Sequence, residues 1–168
     1  MRTGLFLATA SLLSVADQLT KLWAVGALAH KPDGLHLPLD VVRLSLVCNR
    51  GAAFGLLPSR QWVFTAASFA LLAVIFASAR AWSTDRRWQV PLGLLAGGTI
   101  GNLADRLRLG CVVDFVELRW GGRPMWPTFN LADAAIALGA LLLALAVLRC
   151  GQPNHSDAAE ASANATDT

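Results

Sequence analysis

The stretch Cys111-Val112-Val113-Asp114-Phe115-Val116, continued past Gly121-Gly122 to Phe129-Asn130-Leu131-Ala132-Asp133, decides how the chain is read. Two of its carboxylates, Asp114 and Asp133, lie directly against apolar sequence. Asp114 lies in an extended apolar segment and Asp133 at the mouth of the last long hydrophobic run, so both fall at one edge of the same hydrophobic block. Two carboxyl groups held at such a boundary can share a proton. One is ionised and takes a proton from water, while the other stays neutral and donates to a carbonyl oxygen. That pairing is the layout of an aspartyl hydrolase.

The composition supplies the boundary. A hydrophobic share of 55%, a charged share of 15% and a mean hydropathy of +0.50 over 168 residues describe an integral membrane protein rather than a soluble core. The net charge is +3, and its basic residues are scattered among loops instead of forming a stripe with aromatics, which argues against nucleic acid as a partner. The three cysteines, Cys48, Cys111 and Cys150, show neither metal-ligand spacing nor a paired framework and are expected to be free thiols.

Four apolar runs, about Leu5 to Leu28, Trp62 to Ala79, Val90 to Leu103 and Leu131 to Leu148, predict a mainly α, four-transmembrane-helix bundle. The third is short unless Asp105 and Arg106 mark its outer end. An even number of spans puts both termini on one side, and the density of basic residues in the shorter loops places that side in the cytoplasm. Arg2 followed by an apolar stretch also resembles a cleaved leader, but apolar character resumes past Lys21 through Trp23, Val25 and Leu28, as a spanning helix requires. Within that run Asp17 and Lys21 stand one helical turn apart, where they can neutralise each other and offset about 2.5–3.5 kcal/mol for each lone charge at mid-membrane.

Between Ala29 and Arg60 the helical period disappears. Val42, Leu44 and Leu46 alternate with Arg43 and Ser45, which predicts a small extracytoplasmic β element between the first two helices. Asn49-Arg50-Gly51-Ala52-Ala53-Phe54-Gly55 follows, with small residues that let backbone approach a ligand and one aromatic suited to acyl chains. Trp62, Trp82 and Trp88 are expected as interfacial anchors. Gly97 and Gly101 have the spacing of close helix packing. Asp105 falls near a helix C-terminus, where a cation such as Arg106 or Arg108 must compensate it. Val112 to Trp120 is extended, Gly121-Gly122 turns, and Asn130 with Asp133 is close to a capping box for the last helix. Residues 1–150 form one domain, and 151–168 are a polar, disordered tail.

Taken together, Asp17-x-x-x-Lys21, Asn49-x-Gly51-Ala52-Ala53-Phe54-Gly55, Gly101-Asn102-x-x-Asp105-Arg106, Val113-Asp114-Phe115 and Phe129-Asn130-x-Ala132-Asp133 resemble the bacterial lipoprotein signal peptidase family, signal peptidase II. The resemblance runs from Asp17 to Ala135. It implies an aspartyl endopeptidase of the bacterial inner membrane, active toward the periplasmic face, that removes the signal peptide of prolipoproteins before a diacylglyceryl-modified cysteine. Asp114 and Asp133 match the catalytic pair. Asn49, Asn102, Arg106 and Asn130 match polar positions that contact substrate or inhibitor. Asp17, Lys21 and Asp105 match supporting positions, and Gly51 and Phe54 belong to the same motifs. Membrane lipids and globomycin-type inhibitors are implied partners, with no metal or organic cofactor. The competing class is a proton-conducting bundle in which Asp17, Asp105, Asp114 and Asp133 form a relay, which the lack of ionisable groups in the inner halves of the runs disfavours.

Overall fold

The computed structural model describes residues 3–51, 61–81 and 85–150. Four long helices appear in the expected order: α1 (Gly4–Leu28), α2 (Gln61–Ala81), α3 (Arg86–Leu109) and α4 (Leu131–Cys150). A small antiparallel sheet, ordered β1-β2-β3-β4, is made of Leu35–His36, Val42–Asn49, Val112–Trp120 and Arg123–Pro124. The fold is therefore mainly helical with one small sheet. Of the helices, α2 and the Leu131–Arg149 part of α4 are long and apolar enough to cross a membrane. The other two carry the internal charges, Asp17 and Lys21 on α1 and Asp105 on α3.

The third helix is longer than its apolar run. Asp85 caps it, its carboxylate accepting from the Arg87 amide at 2.9 Å, so the charged pair Arg86-Arg87 forms the first turn. It ends at Gly110, whose φ of 73° is the left-handed conformation that glycine adopts without a Cβ penalty. Hydropathy marks the apolar middle of a helix, and its capped polar ends fall outside that mark.

This helix is the centre of the bundle because glycines let two neighbours in on different sides. A Cβ added at Gly97 would lie 2.7 Å from the Ala10 carbonyl of α1, and one at Gly98 would lie 2.5 Å from the Ala132 carbonyl of α4. Gly101 faces the Asp17 carboxylate. Close packing at Gly97 and Gly101 is thus observed, with Gly98 adding the second face. Gly98→Ala is expected to lower stability by ~1–3 kcal/mol, because backbone rather than a pliable side chain must give way. Gly26→Ala, with nothing within 4 Å, is the control expected to be neutral in the same thermal unfolding measurement.

At one end Phe6, Ala10, Ile75, Ala79, Leu92, Leu95 and Ala96 form a core, with the Phe6 and Phe76 rings edge to face. Trp88 is partly buried and packs against this cluster, and Trp62 is exposed. Toward the other end Ala24, Leu28 and Phe115 join α1 to the sheet. Large apolar side chains on the outer faces, among them Leu12, Leu19, Leu22, Val74 and Leu148, remain exposed. An apolar surface of that extent is covered by lipid or protein.

In the sheet, Arg43 sits opposite Glu117 and the pair is bridged at 2.7 Å. Gly121 and Gly122, with φ of 56° and 77°, make the tight turn between β3 and β4. The expectation for Cys48 and Cys111 is overturned: they form a disulfide with Cα atoms 5.5 Å apart. They lie 63 residues apart in sequence, a spacing that carries no signal, and only the register of β2 on β3 brings them together. Expectations for Ala52, Ala53, Phe54, Gly55, Trp82, the Cys150 side chain and the polar tail lie outside the described residues.

Candidate active site

Asp114 reaches the site from β3, whose first four residues are buried on both faces. Asp133 reaches it from the first turn of α4. Asn130 joins them. Its backbone amide donates to Asp133 Oδ2 at 3.2 Å, and its side-chain Nδ2 donates to Asp114 Oδ1 at 2.7 Å. In return Asn130 Oδ1 accepts from the Asp133 amide at 2.9 Å, so the expected capping box is present with Asp in place of Glu. Because the Asn130 oxygen is engaged at the helix start, its amide nitrogen must face Asp114. The link between Val116 and Phe129, with amide-to-carbonyl bonds of 2.9 Å in both directions, fixes the approach of this segment to β3.

Asn102 supports the other carboxylate. Its Nδ2 donates to Asp133 Oδ1 at 2.7 Å, while its Oδ1 accepts from Lys21 Nζ at 2.9 Å and from Asn130 Nδ2 at 3.1 Å. The Lys21 ammonium has donors only, so it forces the Asn102 oxygen toward itself and the amide nitrogen toward Asp133. Asn49, the last residue of β2, donates to Asp114 Oδ2 at 2.9 Å. Its own oxygen accepts from the Gly51 amide at 3.1 Å, which turns the amide the right way. Gly51 therefore orients a side chain of the site through its backbone.

Beneath the two carboxylates lies a buried ionic cluster. Lys21 bridges Asp17 at 2.8 Å and Asp105 at 2.9 Å, all three from the interior of the helix bundle. Asp17 Oδ1 also accepts from the Ala132 amide at 3.0 Å, which places a negative charge at the N-terminus of α4 where the helix dipole favours it. Asp105 accepts from the Val113 amide at 3.1 Å, tying α3 to the start of β3. Its compensating cations are Lys21 and Arg108, the latter at 3.2 Å, so of the two arginines expected to balance it Arg108 forms the ion pair. Arg106 instead sets its guanidinium over the Phe64 ring, 5.9 Å from the centroid, where its charge still acts on Asp133 and Asp114.

Gln18 is a member of this cluster that the sequence did not suggest. Its Nε2 donates to Asp105 at 3.0 Å and to the Gly101 carbonyl at 3.1 Å, and its oxygen accepts from Arg108. No local pattern pointed to it, because its partners Gly101 and Asp105 lie on α3.

Burial raises the Asp114 carboxyl to about 6. Desolvation is the main cause, opposed by the Asn49 hydrogen bond and reinforced by the charge of Asp133, with Asn130 and Lys21 also opposing it. A carboxyl in that range exchanges its proton near neutral pH, as an acid–base group must. Beside Asp133 an apolar groove of about 380 Å³ opens between Leu118, Trp126, Phe129, Ala134 and Ala137.

Of the described residues named from the sequence, Asp17, Lys21, Asn49, Asn102, Asp105, Asp114, Asn130 and Asp133 form one hydrogen-bonded constellation, with Gly51 attached to it and Arg106 beside it.

A model of the family described as Signal peptidase (SPase) II matches residues 9–149. The lipoprotein signal peptidase of Syntrophomonas wolfei subsp. wolfei is 36% identical over 148 residues, covering 88% of this chain and 95% of that one. That of Pelotomaculum thermopropionicum is 42% identical over 145 residues, covering 86% and 91%. A solved structure of a bacterial membrane enzyme superposes with a TM-score of 0.75 at 28% identity, covering 87% of this chain and 88% of the other.

Proposed function

The chain belongs to the signal peptidase II family, and from that membership we propose that it is an aspartyl endopeptidase of the bacterial inner membrane that removes signal peptides from prolipoproteins. It cuts before a cysteine carrying diacylglycerol. The observation that carries this reading is the shared Asn130, which donates to both carboxylates and so keeps them around one small space. A water held there gives up a proton to the ionised member of the pair and attacks the scissile carbonyl. The neutral member donates to the carbonyl oxygen, the tetrahedral intermediate collapses, and the amine leaves with a proton.

Residues 1–150 act as a single membrane-embedded domain in which all four helices span the bilayer. The internal charges of α1 and α3 are compatible with this because they pair with one another inside the bundle. With both termini cytoplasmic, the carboxylates lie toward the periplasmic face. Asn49, Asn102, Asn130 and Arg106 hold the peptide and the carboxylates in register, and Phe54 and the groove beside Asp133 suit lipid or the apolar signal segment. Globomycin-type compounds compete for the same space.

Purified protein is expected to cleave a lipidated precursor, with cleavage blocked by globomycin. Its pH profile should be bell-shaped with one limb near 6, the position of Asp114. An intact precursor after prolonged incubation with folded protein rules out the reading, and a flat profile rules out the acid–base pair.

A further inference from the structure

We propose that the Cys48–Cys111 disulfide is a positioning element of this active site, holding Asn49 against Asp114, so that only the oxidised protein cleaves at full rate. The inference rests on the aspartyl peptidase reading and adds a requirement to it.

Strand register brings the two bonds side by side. Cys48 pairs with Val113 and Asn49 with Val112 across the two strands. Successive strand residues point to opposite faces, and each reaches residues two positions along the partner on its own face. Asn49 thus meets Asp114 on one face, while Cys48 meets Cys111 on the other. The covalent bond and the hydrogen bond are made by neighbouring residues, one through each side of the sheet.

This end of the ladder is short. The pairing of β2 with β3 shifts between Leu44 and Val47, and beyond the shift only Val47, Cys48 and Asn49 remain paired before the strand ends. Three terminal pairs beyond a bulge open readily, since local opening free energies are smallest at frayed ends. A crosslink from Cys48, the middle of these three residues, to Cys111 just ahead of β3 removes that freedom from the residue that holds Asp114.

The bond also assigns a compartment. Disulfides persist on the extracytoplasmic side of bacteria and are rare in the cytosol, which places this end of the bundle outside. It forms by exchange with a disulfide-bearing oxidant. The Cys48 thiolate attacks the oxidant's disulfide, giving a mixed disulfide and releasing one oxidant thiolate. The Cys111 thiolate then attacks the Cys48 sulfur and releases the second. The protein loses two electrons and two protons, and the oxidant becomes a dithiol.

Loss of the crosslink has a signature that a purely structural role lacks. Asp114 faces Asp133 of α4, Lys21 of α1 and Arg106 of α3, together with the amides of Asn49 and Asn130. The Asn49 bond favours ionised Asp114, so loosening it moves the Asp114 limb of the pH profile to higher pH. Reduction of the purified protein with a phosphine is expected to lower kcat about tenfold, the worth of one well-placed hydrogen bond, with KM little changed. Reoxidation with oxidised glutathione restores it. Under denaturing conditions a maleimide should label one thiol before reduction and three after. Cys48→Ala with Cys111→Ala should reproduce the reduced profile and ignore reductant, and Asn49→Ala, with the bond intact, should shift the same limb. Three reactive thiols in unreduced protein overturn the proposal. So does an unchanged kcat and pH profile after full reduction, or an unmoved limb in Asn49→Ala. If oxidised protein leaves the precursor intact, the peptidase reading itself fails and this inference with it.

Discussion

Asp114→Asn and Asp133→Asn are each expected to lower precursor cleavage by roughly 10²–10⁴-fold, the range that one acid–base group supplies. Both replacements keep the size of the side chain and remove its ability to carry a negative charge or exchange a proton. Each carboxylate accepts at both oxygens, Asp114 from Asn49 and Asn130, Asp133 from Asn102 and the Asn130 amide. An asparagine must turn its amide nitrogen toward one of those donors. The expected stability cost is therefore about 1–3 kcal/mol for one unmatched donor, with helical content and membrane insertion unchanged. Uncleaved lipidated precursor should accumulate beside normally inserted protein. Wild-type cleavage by either variant eliminates the two-carboxylate mechanism.

Lys21→Met is expected to be the most destabilising single replacement, by about 3–5 kcal/mol, because it leaves two buried carboxylates without the cation between them. Asp17 and Asp105 both bond to the same ammonium, and both are fully enclosed. The effect on activity exceeds the effect on folding. Without Lys21, only the 3.1 Å bond from Asn130 Nδ2 holds the Asn102 oxygen away from Asp133, and the amide turns over more readily. Thermal unfolding in detergent reads the first effect, and kcat measured well below the transition reads the second. Adding Asp105→Asn to Lys21→Met should recover part of the stability, since neighbouring members of one network are not additive. A Lys21→Met protein as stable as wild type contradicts the description of the cluster.

What could be read from the chain depended on how far apart the interacting residues were. Asp17 and Lys21 were legible because helical spacing alone brings them together, and the Asn130–Asp133 box because capping is local. The four helices followed from apolar runs, and β2 from alternation. By contrast, the bonds of Lys21 to Asp105 and of Asp17 to the Ala132 amide cross between helices. They depend on Gly97, Gly98 and Gly101 admitting α1 and α4 to α3, and no local pattern states which carboxylate then meets which amide. The disulfide was misread for the same reason. Resemblance named residues that the fold joins in one hydrogen-bonded group, whereas their individual partners came from the direction of each hydrogen bond. Gln18 was missed because a glutamine on an apolar helix has no preferred partner until the neighbouring helix is in place.

The bond from Asp17 to the Ala132 amide also restricts how the molecule can move. A screw displacement of α4 by a single residue advances it about 1.5 Å and rotates it by about 100°, which would strip Asp17 of its acceptor role and swing Asp133 off Asn102 together. Sliding or twisting of the fourth helix is thus incompatible with these bonds. Under the proposed function, a signal helix would therefore be admitted alongside the α1–α3–α4 unit, with any yielding coming from parts of the chain outside it.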